Sequence, residues 1–591
     1  MKPVAMLLLL SALVLSHAAF RKNTATAPAA NVALVSAPVA SGTLTRGPYL
    51  QKAAANRMTI RWRSSLAVAG RVRYGTSAGS LTFTTDETSA TTEHVVELTG
   101  LSANTTYFYS VGSATDTLSS GVDYTFTTPP LAGSAVNTRV WVLGDAGTSG
   151  NSASPNINQT AVRDAFYTWT GARTPNLVLQ LGDNAYNSGT DGEFQKGVFD
   201  IYPTMLRRTP FWSCLGNHET AQSTAFVDTY PYFGIYTFPT AGECGGVASG
   251  TEHYYSFDYG NIHFISLDSM TASRAVNGAM ATWLQSDLAA TTATWIVCFF
   301  HHPPYTKGSH NSDSLADSAG AMTEMRQNIL PILEAGGVDL VLGGHSHCYE
   351  RSYLLDGHYG ISTTLTGAMK KNAGDGRPAG NGAYVKPLTG PRDHFGAVYS
   401  VAGSAGQIGG GSLNHPAHFI SLANLGSLVL DVNGTTLTGT FVRENVTVPD
   451  TFTIIRQGAA DSDGDGVADA FEIANGMNRF DPSDATLDTD HDGNTALAEY
   501  LFGLNPNISD RYAWTSARNR TTGFHEITFP TLAQRVYQVF WSDDLVSWHP
   551  GSAAVSGDGA TKLWIDDGTV TGTLPSLTVR RFYRVQVSNG P

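Results

Sequence analysis

From Arg46 to about Pro130, apolar and polar residues alternate in short runs. Examples are Met58-Thr59-Ile60-Arg61-Trp62, Arg71-Val72-Arg73-Tyr74 and Thr106-Tyr107-Phe108-Tyr109-Ser110-Val111, with Gly, Ser and Asn between them. A period of two broken by frequent turn residues predicts antiparallel strands, and so a β-sandwich over residues 45–130. Between residues 138 and 345 the pattern changes. Unbroken apolar runs recur at Val140–Leu143, Leu177–Leu179 and Trp295–Phe300, and again over Val338–Leu342 around Asp339. Helical-looking stretches such as Thr160–Thr170 and Ala321–Ala335 fall between them. Strands covered on both faces lose their alternation, so residues 135–445 predict an α/β domain whose β-sheets are flanked by helices. Strand-like alternation returns at 253–268 and 396–443. It appears once more over 510–591, as in Thr528–Phe540 and Phe582–Val587, which predicts a small C-terminal β-sandwich. The chain reads as multidomain.

The N-terminus has a different pattern. Met1-Lys2, an apolar run from Val4 to Leu15 and then Ser16-His17-Ala18 describe a secretory signal peptide, residues 1–18, cleaved after Ala18. The run is too short to span a bilayer, so the mature protein is expected outside the cell or in the periplasm, without a membrane span. Residues 19–44, rich in Ala, Thr, Ser and Pro, read as a flexible leader. Export permits disulfides among Cys214, Cys244, Cys298 and Cys348, although buried free thiols fit equally well.

Composition removes some function classes. Hydrophobic residues make up 42% and charged residues 14%, which excludes a disordered acidic protein. Lys and Arg total 36 against 49 Asp and Glu, for a net charge of −13, so no cationic face exists for nucleic acid. The negative charge is concentrated: eleven acids and one base (Arg479) lie between Asp461 and Glu499.

Five polar motifs follow apolar runs directly. They are Gly144-Asp145-Ala146-Gly147, Gly182-Asp183-Asn184-Ala185-Tyr186, Gly216-Asn217-His218-Glu219, His301-His302-Pro303-Pro304-Tyr305 and Gly343-Gly344-His345-Ser346-His347. Open α/β sheets bind ligands at the carboxyl ends of their strands, so the five should converge on one rim. Asp, Asn, His and Tyr without Cys form a donor set for a hard to borderline metal. If the strand end is extended, His345 and His347 point to one side.

This set resembles the binuclear metallophosphoesterases, and Tyr186, three residues after Asp183, makes it most similar to the purple acid phosphatases. That family often carries a fibronectin-like domain before the catalytic one. Trp62, and Leu98-Thr99-Gly100-Leu101 leading to Tyr107, resemble a fibronectin type III domain with its tyrosine corner; this domain reads as a spacer. The resemblance implies that Asp145, Asp183, Tyr186 and His347 hold a ferric ion. Asp183 would bridge to a divalent Fe, Zn or Mn held by Asn217, His301 and His345. It also implies attack by metal-bound hydroxide, with His218 on the phosphoryl group, Glu219 orienting His218, and His310 protonating the leaving alkoxide. His301 is favoured over the adjacent His302 by the His-x-Pro-x-Tyr register.

The acidic segment, residues 459–507, holds two matching loops 27 residues apart. Asp461, Asp463, Asp465, Asp469 and Glu472 stand in the first, and Asp488, Asp490, Asp492, Asn494 and Glu499 in the second. Acids at positions 1, 3, 5 and 12 with Gly at 6 describe an oxygen cage for Ca²⁺. Ala468 and Thr495, at position 8, break the apolar pattern of paired EF-hands, and the segment resembles thrombospondin type 3 or dockerin-like calcium repeats. A structural role for calcium is expected. The whole predicts a secreted phosphomonoesterase acting on a phosphate-ester substrate. Its alternatives are a phosphodiesterase or nucleotidase using the same metals, and a surface or matrix binding protein with secondary phosphoesterase activity. The partner of the C-terminal sandwich is not legible.

Overall fold

The computed structural model describes residues 42–590. The signal peptide and nearly all of the leader lie outside the described residues.

Strands Leu44–Ala54, Arg57–Val68 and Thr91–Thr99 form one antiparallel sheet, and five strands between Arg71 and Thr127 form another. Met58, Ile60 and Trp62 from the first are buried, as are Val72, Tyr109 and Val111 from the second. The alternation thus marks the inward faces. The Tyr107 hydroxyl accepts the Ser102 amide at 3.0 Å, which ties the strand to the loop before it. This domain is more than a spacer. Tyr49 Oη donates to the Ile235 carbonyl (2.8 Å), Arg61 to the Tyr236 carbonyl (2.8 Å) and Tyr109 Oη to the Arg207 carbonyl (2.8 Å). Its core runs without a break into that of the next domain.

The central domain is built on two mixed sheets. The first contains β1 (Thr138–Leu143), β2 (Leu177–Gln180) and β3 (Phe211–Ser213) in parallel. The second contains β4 (Ile262–Ser266), β5 (Trp295–Phe300), β6 (Leu340–Gly343) and β7 (Ala397–Ala402), also parallel to one another. Every residue of β2, β4, β5, β6 and β7 is buried, as unbroken apolar runs require. The sheets share one core, in which Trp212 stacks on Phe257 at 3.7 Å and Tyr349 on Phe441 at 4.1 Å. Helix α1 (Ile157–Thr170) covers the first sheet, with Phe166 stacked on Trp141 at 4.0 Å. Helix α2 (Ala279–Ala290) packs in a second core with residues from β4, β5 and β6. The predicted helix over 321–335 forms, with a wider turn at Met325–Ile329.

One boundary differs from the expectation. The first sheet continues past residue 445: β8 (Gly426–Asn433) pairs with β1 and with Thr436–Arg443, and the latter pairs with Asp450–Arg456. Phe452 and Ile454 are fully buried, so burial carries the domain to Arg456.

Beyond it lie two short helices, α3 (Asp469–Asn475) and α4 (Ala496–Phe502), each ending on a left-handed glycine, Gly476 and Gly503. Two small sheets follow, packed over Ile527, Phe529, Tyr537 and Val539. All four cysteines are free and buried. Among the described residues no helix is long and apolar enough to cross a membrane.

Candidate functional site

The chain turns sharply where β1, β2 and β6 end. Asp145 (φ 55°), Asp183 (φ 54°) and His345 (φ 65°) all have left-handed backbones, which cost energy for non-glycine residues and persist where surrounding structure holds them. Glycines make the crowding possible. A Cβ on Gly216 would lie 2.3 Å from Asp183 Oδ1, and one on Gly344 2.7 Å from Asp145 Oδ2.

These turns bring the seven predicted donors into one cluster with two halves. Tyr186 Oη lies 3.2 Å from Asp145 Oδ1, 3.3 Å from Asp183 Oδ2 and 3.3 Å from His347 Nε2. On the other side, His301 Nε2 lies 2.8 Å from Asn217 Oδ1 and 3.3 Å from Asp183 Oδ2. His345 Nδ1 is 3.0 Å from Asn217 Oδ1 and 3.2 Å from His301 Nε2. Asp183 Oδ2 reaches both halves. His345 and His347 do not point to one side of an extended strand: the left-handed turn at His345 sends the two imidazoles to opposite halves. Asp145 and Asp183 are buried, and among the described residues their ion pairs are to His347, His218 and His301 alone, with no Lys or Arg. Two buried carboxylates without a permanent cation, facing a phenol, an amide and three imidazoles, fit a pair of metal ions.

Known proteins resemble the chain over the same elements. Residues 138–349 match the profile of the Calcineurin-like phosphoesterase family, and residues 47–128 that of the Purple acid Phosphatase, N-terminal domain. The chain carries a calcineurin-like phosphoesterase domain. Purple acid phosphatase 15 of Arabidopsis thaliana is 27% identical over 284 residues, which cover 44% of this chain and 49% of that protein. Purple acid phosphatase 18 of the same plant is 26% identical over 317 residues, covering 51% and 65%. The chain thus spans about half to two thirds of the length of these relatives. The structure of purple acid phosphatase PPD1 from yellow lupin seeds superposes with a TM-score of 0.54 at 16% identity, over 70% of this chain and 75% of that one. That likeness speaks to the fold.

Around the cluster, the phosphoesterase domain places several further groups. His301 Nδ1 is 2.8 Å from the Leu181 carbonyl, which turns Nε2 toward the cluster. Burial alone would lower the His301 pKa, but the Asp183 carboxylate raises it to about 9. Burial would raise Asp183, and His301 and His218 hold it well below the usual carboxylate range instead. Burial, with Asp145 and Asp183 close by, drives the Tyr186 phenol well above its ordinary value. A phenolate at that position therefore requires a strong positive charge.

Glu219 does not reach His218. Its carboxylate accepts the amides of Asp183 (2.9 Å), Asn184 (2.5 Å) and Gly216 (2.8 Å), so it pins the Asp183 turn from beneath. His218 is oriented by the Asn187 carbonyl, 2.7 Å from its Nδ1, and its ring lies 4.3 Å from that of Tyr186. His310 stacks on His345 at 3.8 Å, and its Nδ1 is 2.8 Å from Asp317 Oδ1. His302 is buried with Nδ1 3.0 Å from Ser269 Oγ. It borders a cavity of about 160 Å³ that opens beside Asn217 and His345 and includes Arg274. Besides Asn187, the structure adds three residues to the site that the sequence motifs do not mark: Asp317, Ser318 (2.6 Å from His345 Nε2) and Gln407 (3.2 Å from His347 Nε2). Asp317 and Ser318 open a short helical turn after a polar stretch and Gln407 stands in a loop, and none of them follows a strand end that would single it out.

The acidic segment forms a separate cluster. Asp461, Asp463 and Asp465 bring carboxylate oxygens within 4.8 Å of one another. In the first loop Asp461 accepts the Gly464 and Gly466 amides (2.8 and 3.1 Å), and in the second Asp488 accepts those of Asp492 and Gly493 (both 3.1 Å). Asp490 Oδ1 also accepts the Asp492 amide, at 3.2 Å, and Asn494 donates to Asp492 Oδ1 at 2.9 Å. Asp469 departs from the expectation. Its oxygens are taken by the Ser462 amide and hydroxyl, both at 2.6 Å, and it pairs with Arg479 at 3.4 Å, so it braces the loop from behind. Glu472 and Glu499 are fully buried, with neither carboxylate oxygen hydrogen-bonded.

Proposed function

We propose that this chain is a secreted, purple-acid-phosphatase-like phosphomonoesterase that works through a ferric and a divalent ion. What supports the reading above all is the division of seven donors into two halves that share Asp183. Asp145, Asp183, Tyr186 and His347 would hold the ferric ion, because carboxylates and a phenolate suit a hard trivalent cation. Asp183, Asn217, His301 and His345 would hold divalent Fe, Zn or Mn. When bound, the two ions would supply an activated water and positive charge for the phosphoryl oxygens. The chain's own residues do the rest. His218, held by the Asn187 carbonyl with Nε2 3.9 Å from Asp183 Oδ2, is set to hydrogen-bond a phosphoryl oxygen. His310, whose Nδ1 is engaged by Asp317, keeps Nε2 for proton delivery to the leaving alkoxide. Two Ca²⁺ ions in the acidic loops would serve a structural role, since oxygen-only cages suit that cation. Secretion rests on the pattern of residues 1–18.

Phosphate release from an aryl phosphate monoester, measured with and without a transition-metal chelator, tests this reading. Wild type should lose turnover on chelation and regain it on reloading. Asp183→Ala should lower kcat/KM by about 10³-fold or more, because one substitution removes a donor from both halves. Turnover that survives either treatment refutes the two-metal mechanism, and preference for a diester at equal metal loading would move the substrate class.

A further inference from the structure

The acidic segment is a tandem repeat whose unit is longer than the loop. Each unit runs from the loop through a helix (α3, then α4) to a left-handed glycine (Gly476, then Gly503). A turn follows in which the amide of Asp481, or of Ile508, donates to the carbonyl of Asn478 or Asn505, at 2.8 and 3.0 Å. Each turn ends on the pair Ser-Asp: Ser483-Asp484 in the first unit and Ser509-Asp510 in the second. The second turn is one residue shorter, so a fixed spacing of 27 does not bring the two aspartates into register.

We propose that Asp484 and Asp510 each supply a further carboxylate to the Ca²⁺ held by the loop before them, closing each site from beyond its helix. The proposal rests on the calcium reading above and adds ligands outside the twelve-residue loops. Its evidence is a set of unpartnered oxygens. In the first unit Asp463 Oδ2, Asp465 Oδ2, both oxygens of Glu472 and Asp484 Oδ1 are buried without a hydrogen-bond partner. In the second the same holds for Asp490 Oδ2, both oxygens of Glu499 and Asp510 Oδ1. Glu472 and Glu499 are 0% exposed. A buried carboxylate with neither oxygen satisfied is costly unless a cation sits on it. The charges of Asp463, Asp465 and Asp484 all act on Glu472, and those of Asp490, Asp492 and Asp510 on Glu499. Backbone contacts aim both aspartates. Asp484 Oδ2 accepts the Asn478 amide at 2.8 Å, leaving Oδ1 to the cage, and the Asp510 amide donates to Asp492 Oδ2 at 3.2 Å. Several anionic oxygens and no nitrogen or sulfur donor match a cation that takes six to eight oxygen ligands, which is Ca²⁺.

Each closing ligand also sits at a junction. Asp510 stands two residues before Tyr512, whose ring packs 4.3 Å from Phe502 of α4. In the first unit Arg479 joins Asp469 to Asp393 of the phosphoesterase domain. The closing ligands would thus tie calcium binding to how the C-terminal sandwich is attached.

Calorimetric titration of the full chain with Ca²⁺ alone, after removal of bound Ca²⁺ with EGTA, provides the test. Wild type should bind two ions. Asp484→Asn should weaken one site by tenfold or more and Asp510→Asn the other. Asp481→Asn, whose side chain is exposed and bonded to Ser483, should leave both sites unchanged. Circular dichroism of each apo variant checks that it is folded, and terbium luminescence repeats the titration for any variant that is unstable on removal of Ca²⁺. Two sites of unaltered affinity in both variants overturn the closing-ligand assignment and leave the calcium reading standing. A wild type that binds no Ca²⁺ overturns both.

Discussion

Single residues decide the chemistry here by where their neighbours force them. The Tyr186 phenol, buried against two carboxylates, keeps its proton unless a strong cation displaces it. If that cation is ferric, the protein should absorb in the visible through phenolate-to-iron charge transfer, and Tyr186→Phe should lose the band while iron content changes little. Absorption spectra with metal analysis check this; a colourless wild type with full iron would falsify the tyrosinate assignment. The seven donors are legible in the sequence because each motif terminates an apolar run, and a strand end fixes direction as well as position. The partners Asn187, Asp317 and Gln407 are not legible, since nothing in a polar loop's composition says which of its residues will meet a histidine. Glu219 illustrates a subtler failure. Its place beside His218 suggests a contact between them, yet two amides of the neighbouring turn (Asp183 and Asn184) and that of Gly216 in its own turn compete for the carboxylate and win.

At the scale of elements, the N-terminal sandwich is tied to the loop that carries Tyr186. Arg46, fully buried, donates to Gln195 Oε1 (2.8 Å) and Asp191 Oδ1 (3.0 Å), and Arg63 Nη1 adds a contact to Asp191 Oδ2 (2.8 Å). Asp191 opens a helical turn whose Glu193 accepts the Asn187, Ser188 and Thr190 amides (2.6, 3.1 and 2.9 Å). Arg46→Ala should therefore lower stability by about 1–3 kcal/mol, measured by urea denaturation, and Arg46→Lys should recover only part because it cannot span both partners. A second device joins β4 to α2. His263 lies 2.7 Å from Asp258 and 2.8 Å from Asp287. Burial would lower its pKa, but the two carboxylates raise it to about 9. Because the folded value exceeds the ordinary 6.5, the bound proton stabilises the fold fully below about pH 6.5, and that contribution is lost as pH climbs to 9. Melting temperature should fall across that window in wild type and fall less in His263→Gln. The strands themselves follow from the apolar pattern. The end of the domain does not, because Asp450–Arg456 alternates and reads like the modules around it.

For the whole molecule, the concentrated negative charge and the cysteine thiols fall in different segments. Of the net −13, ten units lie between Asp461 and Glu499 (eleven acids less Arg479), so the remainder of the chain carries only −3. Within that remainder, residues 138–456 carry 25 Asp and Glu against 17 Lys and Arg, a net −8, which an excess of basic residues elsewhere in the chain partly offsets. The four thiols are buried within the central domain, and burial raises the pKa of each. A thiol reagent should find fewer than one reactive group in native protein and four after denaturation, with no change in melting temperature on adding a reductant. Two or fewer groups in denatured protein would mean that a disulfide forms.

The place of β8 has a consequence for synthesis. Strand β1, which leads into Asp145, lies between β2 and β8, and β8 begins only at Gly426. A nascent chain that has delivered all five motifs, through His347, still lacks the strand that covers one edge of β1, and also β7 beside β6. Truncation at residue 349, where the family match ends, would leave two central strands with open edges. The site must therefore wait for distant sequence. As the ribosome releases this protein, its ligands emerge long before the sheets that hold them are complete.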